Sequence, residues 1–484
     1  MDLMDTKSPD AKSPQPNLVS RRVTRRELLK LLPLAAVGTL AACAAPPAAA
    51  PASTAAAPAA PAATSAAPAA ATKAPAAASG EPVTITWAFW GDPEEVKVHQ
   101  AVADAFMAQD ATIKVEINTE PWTDYNTKLN ALIASGSKLY DVFWYPNNVQ
   151  NLAEKGVIED LTPLAKQSTF DLQDYWPGTL AQATYKGDVY GLIRDADASI
   201  LYYNKDIFAE AKVDPPTDKW TLDDLQAAAE KLTKVEASGR VERYGLAMEG
   251  GKIDAFLVGN GGGYVDNVEN PSKSILDSKE SLQVLDWFHN MIEKNFAMKP
   301  ADLNQAGGDA GVFQKGQAAM IIQNASRIPA FNAANLNYDI APLPLPWSGK
   351  RANQAGGARW LMDAKGEHKI EAWTFMMFLN SAKGGNGIYA KAGGMFPAQK
   401  SVATSPSFID PNQKPANRSV YATEGAGLSI LSPGLLLPVW DDIGNNIVGP
   451  GLEKIWALET TPEKAVAEIV PAVNDALKAA GFPK

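Results

Sequence analysis

Apolar and polar positions alternate strictly from Val83 to Phe89, with Val83, Ile85, Trp87 and Phe89 on one face and Thr84, Thr86 and Ala88 on the other. That period predicts a strand ending at Trp90-Gly91-Asp92-Pro93. From Glu94 to Gln109 the spacing changes, and Val98, Ala101, Val102, Ala105 and Phe106 recur as one face of a helix with acids in its first turn. Ile113, Val115 and Ile117 predict a second strand. Thr123 is placed to cap a helix whose Leu129, Leu132 and Ile133 face inward and which stops at Gly136. Asp141 to Tyr145 is apolar on both faces after its first residue, as buried parallel strands are. Strand, helix, strand, helix, strand predicts an α/β fold with an open parallel sheet and right-handed crossovers.

Further along, Tyr185 to Leu192 carries Lys186-Gly187-Asp188 between apolar residues and predicts a hairpin. Thr221 and Asp224 approximate a capping box before the stripe Leu222, Leu225, Ala229 and Leu232. Glu371 to Leu379 concentrates Trp373, Phe375, Met376, Phe378 and Leu379 in a helix apolar enough to be largely buried. The run Gly259-Asn260-Gly261-Gly262-Gly263 lacks phosphate-loop spacing and reads as a turn.

The first 80 residues follow other rules. Thr24-Arg25-Arg26-Glu27-Leu28-Leu29-Lys30 leads into an apolar stretch ending at Leu40-Ala41-Ala42-Cys43, too short to span a bilayer at about 20 residues. A cationic segment, a short apolar run and small residues mark a removed export signal. The paired arginines resemble a twin-arginine signal, with Arg21-Arg22 as a second register, and Leu-Ala-Ala-Cys resembles a lipobox whose Cys43 would be lipidated. Residues 1–43 are therefore expected to be a signal peptide. Ala44 to Gly80 is almost entirely Ala, Pro, Ser and Thr, a composition expected to form a disordered tether.

Cys43 is the single cysteine, so a mature chain anchored through it has no disulfide and no Cys-based metal site. About 400 residues remain, more than one core usually covers, which predicts two lobes. The formal net charge of -10 argues against nucleic acid as a partner. Sheets of this type bind ligands at the carboxyl ends of their strands. Those ends, Trp90-Gly91-Asp92 and Trp144-Tyr145-Pro146-Asn147-Asn148, each pair an indole with planar polar groups, the combination that suits the C–H face and hydroxyls of a sugar.

Arg194-Asp195-Ala196-Asp197 followed by Tyr202-Tyr203-Asn204-Lys205-Asp206, together with the Trp90-Gly91-Asp92 loop, resembles extracellular solute-binding proteins of the maltose-binding class that feed ATP-driven importers. The resemblance runs from Val83 onward and includes Trp220 to Leu225, Phe313 to Met320, Ala341-Pro342-Leu343-Pro344, Gly356-Gly357 and Gly393 to Ala398. It implies a two-lobed type II periplasmic-binding-protein-like fold with the ligand cleft between lobes. Lobe one would hold 81–194 and 356–402, lobe two 195–355 and 403–484. The implied partners are a carbohydrate ligand, the membrane permease subunits of an ABC importer, and the membrane through the lipid anchor. A monomer exported to the outer face of the cytoplasmic membrane is expected, with no cofactor and no nucleic acid.

By position, the resemblance assigns ligand roles to Asp92, to Trp144 with Asn147 and Asn148, to Asp197, and to Trp440. Trp90, Gly91, Tyr125, Asp195, Glu249, Asp254, Asn324, Arg359 and Trp360 complete the candidate set. Two departures bear on specificity: Gln323 to Arg327 stands where many sugar binders carry an aromatic, and Asn147 stands where an acid is common. They count against a maltose-like ligand and point to a smaller or differently substituted sugar.

Catalysis is not expected. Asp195 and Asp197 share one strand face, whereas a glycosidase sets its carboxyls on opposite sides of the bond, about 5 to 9.5 Å apart. His99, His289 and His368 lack zinc-ligand spacing, and no nucleophile elbow appears. Two alternatives share the fold: a polyamine held by Asp92, Asp195, Asp197, Glu249 and Asp254, or a sugar phosphate held by Arg194, Arg327 and Arg359.

Overall fold

Strand β1 (Val83–Trp90) runs beside β2 (Ile113–Glu120) and β3 (Val142–Trp144), parallel to both, in a computed structural model that describes residues 81–484 except 92, 147, 407, 426, 431, 432 and 438. The expectations for the signal peptide, the tether, Cys43, Asp92 and Asn147 lie outside the described residues. Helix Pro93–Gln109 joins β1 to β2, and helix Trp122–Ser135 joins β2 to β3. The second helix begins one residue earlier than its expected cap: Pro121 occupies the N-cap position without a side-chain bond, so Thr123 lies inside the helix. Its far end is as the sequence predicts, since Gly136 adopts φ +66° and its N–H closes on Ile133 O at 3.1 Å.

The hairpin follows as β4 (Thr184–Tyr185) and β5 (Asp188–Val189), and β6 (Leu192–Ile193) returns to the first sheet. Next come β7 (Ser199–Asn204), β8 (Lys234–Val235), β9 (Val241–Ala247), β10 (Ala318–Asn324) and β11 (Tyr338–Ala341), then β12 (Asn353–Gln354), β13 (Arg359–Met362) and β14 (Leu428–Ile430). Two five-stranded sheets result, ordered β2-β1-β3-β13-β6 and β11-β7-β10-β9-β8. The first is mixed, not wholly parallel, because β13 pairs antiparallel with both β3 and β6. Strands of two to four residues are too short to display a period, which is why the pattern alone did not reveal them.

Each sheet anchors a core. Ile85, Trp87, Phe89, Val142, Trp360 and Phe375 pack under the first. Leu222, Leu246, Phe256, Phe288 and Leu452 pack against the second. Successive residues of β7 serve different clusters, Ile200 and Tyr202 one, Leu201 and Tyr203 the other, as a period of two requires. The helix over Leu222–Leu232 shows both bonds of its capping box: Asp224 N–H donates to Thr221 Oγ1 at 3.2 Å, and Thr221 N–H donates to Asp224 Oδ2 at 2.9 Å. Helix Lys369–Leu379 buries Trp373, Phe375, Met376 and Leu379.

The fold is α/β with two lobes, and the chain passes between the sheets where Asp195–Asp197, Gly356–Ala358 and Phe396–Pro397 lie side by side. Ala196 N–H donates to Phe396 O at 2.9 Å, Ala358 N–H donates to Asp195 Oδ1 at 2.9 Å, and Asp197 N–H donates to Gly356 O. A Cβ on Gly357 would sit 1.9 Å from Asp195 O, so only glycine permits this approach.

Candidate functional site

At the carboxyl ends of β1 and β3 the indoles of Trp90 and Trp144 stack, ring centroids 3.9 Å apart at 21°. The Arg194 guanidinium lies over the Trp144 ring at 4.4 Å. Trp144 is buried and its Nε1 has no partner, while Trp90 is the half-buried outer ring. Arg194 also pairs with Asp195 at 2.8 Å and with Glu95 of the first helix at 3.3 Å. Burial alone would lower its pKa, but the carboxylates of Asp195 and Glu95 raise it, so the guanidinium stays charged. Beneath it His99 is fully enclosed, and burial lowers its pKa to about 4, leaving it neutral near pH 7.

Three of the candidate residues lie in this corner as supports. Tyr125 is buried, its hydroxyl donating to Trp144 O at 2.7 Å. Trp360 is wholly enclosed between Trp87 at 5.3 Å and Trp144 at 5.5 Å. Arg359 is also interior: Nη1 donates to Gln182 Oε1 at 2.6 Å, and Nε and Nη2 donate to the carbonyls of Tyr145 and Pro146. It braces the loop after β3 from inside. Asn148 caps helix Val149–Glu154 by accepting from Asn151 N–H at 2.8 Å, and its buried Nδ2 has no partner. Gly91 lies in the turn between β1 and the first helix.

Beyond Asp195 the site opens. A cavity of about 220 Å³ is lined by Asp197, Ser199, Glu249, Lys252, Asp254 and Gln354, among others. Asp197 is exposed and held by one donor, the Nδ2 of Asn324, whose own Oδ1 accepts from Ser326 N–H at 3.1 Å. Glu249 precedes the turn Gly250–Ile253, and among the described residues neither its carboxylate nor the Lys252 ammonium forms a hydrogen bond or ion pair. Asp254 receives Tyr264 Oη–H on Oδ1 at 2.5 Å and Gln354 Nε2–H on Oδ2 at 3.1 Å. Burial raises its pKa to about 6, against those two hydrogen bonds and Lys252. Trp440 is buried and packs on Tyr264, centroids 5.9 Å apart.

A buried layer fixes the cavity's far wall. Asn353 Oδ1 accepts from Ser199 N–H at 2.8 Å, while its Nδ2 donates to Ser199 O at 2.7 Å and to Glu424 Oε2 at 2.6 Å. Glu424 is enclosed, so desolvation raises its pKa to about 7, although Arg351 at 3.0 Å opposes the rise. The cavity thus brings together Asp197, Glu249 and Asp254 from the candidate set, with Asn324 one contact behind through Asp197 and Trp440 two behind through Tyr264. Sequence reasoning missed Ser199, Lys252, Gln354, Tyr264 and Asn353. The available signals were position alone: Asn353-Gln354 precedes the Gly356-Gly357 pair, and Tyr264 follows the glycine run. Chemically the site offers carboxylate acceptors, an amide, an ammonium and a nearby aromatic wall.

The model of the family described as bacterial extracellular solute-binding protein matches residues 101–416. A maltotriose-binding protein of Pyrococcus abyssi is 28% identical over 297 residues, covering 60% of this chain and 60% of its own length. An arabinooligosaccharide-binding protein of Bacillus subtilis is 24% identical over 375 residues, covering 75% of this chain and 82% of that relative. Among solved structures, an ABC substrate-binding protein from Listeria monocytogenes in complex with cycloalternan superposes with a TM-score of 0.70 at 25% identity, covering 83% of this chain and all of that one.

Proposed function

The chain belongs to the bacterial extracellular solute-binding proteins, and from that premise we propose that it captures a neutral sugar or oligosaccharide in the cleft between its lobes and delivers it to the permease of an ABC importer. The carrying observation is the cavity in which Asp197, Glu249 and Asp254 converge with Gln354 and Lys252. Carboxylates accept from sugar hydroxyls in charge-assisted bonds, and the amide and ammonium donate back. The names of the relatives, which bind maltotriose and arabino-oligosaccharides, support a carbohydrate. Arg194 and Arg359 are both engaged in the interior, and none of Arg194, Arg327 and Arg359 lines the cavity, where Lys252 is the one cation among the described lining residues; the absence of an arginine cluster disfavours a sugar phosphate.

Lobe one is 81–194 with 356–402, and lobe two is 195–355 with 403–484. Closure about the three crossing segments is a hinge motion, and ligand favours the closed form by binding it better. Cleavage before Cys43 and its lipidation place the monomeric protein on the outer face of the cytoplasmic membrane, by the twin-arginine or the general export route. Binding is its whole activity; no catalysis is involved.

Thermal melting of the purified full-length protein against neutral sugars, spermidine and sugar phosphates tests this, because a ligand of the folded state raises the melting temperature by mass action. The proposal expects a saturable rise with a neutral sugar, unchanged by added salt. A rise confined to spermidine and abolished by salt would replace sugar with a polyamine in the same cavity.

A further inference from the structure

Asn353 uses every hydrogen-bonding position of its side-chain amide inside the protein. Its Oδ1 accepts from Ser199 N–H at 2.8 Å and from Gln354 N–H at 2.9 Å, and its Nδ2 donates to Ser199 O at 2.7 Å and to Glu424 Oε2 at 2.6 Å. Asn353 and Glu424 are both 0% exposed, whereas Ser199 and Gln354 line the cavity. We propose that Asn353 is a positioning residue for solute binding, kept in its working orientation by Glu424, although neither side chain lines the cavity. This rests on the sugar reading above and adds to it the residues that hold the cavity wall in place.

The orientation follows from Glu424. Its Oε1 accepts from Leu343 N–H and from Arg351 Nε–H, each at 3.0 Å, which leaves Oε2 toward Asn353. A carboxylate only accepts, so the amide must turn its nitrogen to Glu424 and its oxygen to the N–H groups of Ser199 and Gln354. Protonation changes little, because the hydrogen can take the second lone pair of Oε2 while the first still accepts from Asn353. Glu424 is itself fixed by its helix, Val420–Gly425: a Cβ on Gly425 would lie 2.4 Å from the Trp176 ring, so only glycine lets the helix end close on that indole.

What is positioned lies beside two of the crossings between the sheets. Ser199 follows Asp195–Asp197 and Asn353 precedes Gly356–Ala358, so one amide ties the two strands next to the points where the chain passes over. Gln354 is then held at both ends, its N–H by Asn353 and its Nε2 by Asp254 Oδ2 at 3.1 Å. Its Oε1 has no partner among the described residues and is left to accept from a solute hydroxyl. A wall ordered before binding loses little freedom when the solute arrives.

Two measurements on full-length Glu424→Gln, Asn353→Asp and the double variant test this: calorimetric titration with the neutral sugar giving the largest thermal shift, and ligand-free amide hydrogen exchange in the peptides that hold Ser199 and Gln354. Glu424→Gln turns a donor toward a donor whichever way its amide lies, and Asn353→Asp sets one carboxylate against another. Each should lower affinity at least fivefold and speed exchange at both amides at least tenfold. The double variant moves the carboxylate across the contact and restores the bonds of residue 353 to Ser199 N–H, Gln354 N–H and residue 424, leaving only Ser199 O without its donor. It should therefore bind at least threefold better than either single variant, a rescue that loss of core packing alone would not give. If the single variants do not fold, Asn353→Ser, which leaves Glu424 its Leu343 and Arg351 donors, reads the same two quantities with the same losses expected. Folded variants that keep affinity within twofold of wild type, or a double variant no better than the singles, would overturn the positioning role and leave the sugar reading intact. Silence of wild type toward every neutral sugar would overturn the sugar reading, and unchanged exchange at Ser199 and Gln354 would then overturn the positioning role as well.

Discussion

The corner at the ends of β1 and β3 and the cavity around Asp254 draw on the same materials, an aromatic beside carboxylates, and use them differently. In the corner the charges answer one another: Arg194 lies on Trp144 and between Asp195 and Glu95, and Trp90 stacks on the same indole. In the cavity they do not. Among the described residues Glu249 and Lys252 form no hydrogen bond or ion pair, and both hydrogen bonds to Asp254 come from neutral donors, with the Lys252 charge acting on it only from a distance. A charge neutralised within the protein contributes to rigidity, whereas one held in place by neutral groups keeps its field for a ligand. Under the proposed function, the difference separates residues that shape the cleft from those proposed to meet the solute.

The contrast is open to attack by substitution. Arg194→Met should cost the most, about 3–5 kcal/mol of stability, because it leaves Asp195 and Glu95 without their cation in a desolvated place; urea denaturation reads this directly. Asp197→Ala should leave stability within about 0.5 kcal/mol, as exposed sites do, yet weaken sugar binding by about 1.5–3 kcal/mol through loss of a charge-assisted bond. Intact affinity in a folded Asp197→Ala protein would break the comparison from the cavity side. Trp144→Phe keeps an aromatic under Trp90 and removes the unpartnered Nε1–H, so affinity should change less than threefold in a calorimetric titration. A tenfold loss would move Trp144 from support to ligand contact.

Acidity gives a finer probe. Burial lifts the Asp254 pKa to about 6, above the roughly 3.9 of an unfolded aspartate. Between those values the unfolded chain has released a proton that the folded one retains, so this group's contribution to stability is full below pH ~4 and lost as pH rises to about 6. Binding should run the other way, since only the ionised carboxylate offers all its lone pairs to hydroxyls. Affinity for a neutral sugar should therefore fall several-fold from pH 7 to pH 5, while Asp254→Asn should be flat over that range.

Much of the scaffold was legible because its signals are local. The period of two in β1, the Thr221–Asp224 box and the apolar helix ending at Leu379 each need only neighbours along the chain. The expected cap at Thr123 failed for a local reason too, as Pro121 fixes a backbone angle suited to the start of a helix and the helix begins behind it. The site was legible only in part. Asp197, Glu249 and Asp254 came from the family resemblance, by position, but Gln354 and Ser199 reach the cavity because Asn353 clamps Ser199 across 154 residues of sequence. No spacing rule carries that information. Aromatic residues misled in the opposite sense: Trp360 reads as a sugar platform by type, and the structure encloses it completely.

The central claim, that the cavity around Asp254 holds the solute, is tested most directly by titrating the neutral sugar with the largest thermal shift into wild type and Asp254→Asn at pH 7. We predict a loss of roughly tenfold or more in affinity, the equivalent of one charge-assisted hydrogen bond, with a melting temperature equal to or above that of wild type because a buried charge has been removed. Unchanged affinity in the folded variant would contradict the account and place the ligand elsewhere.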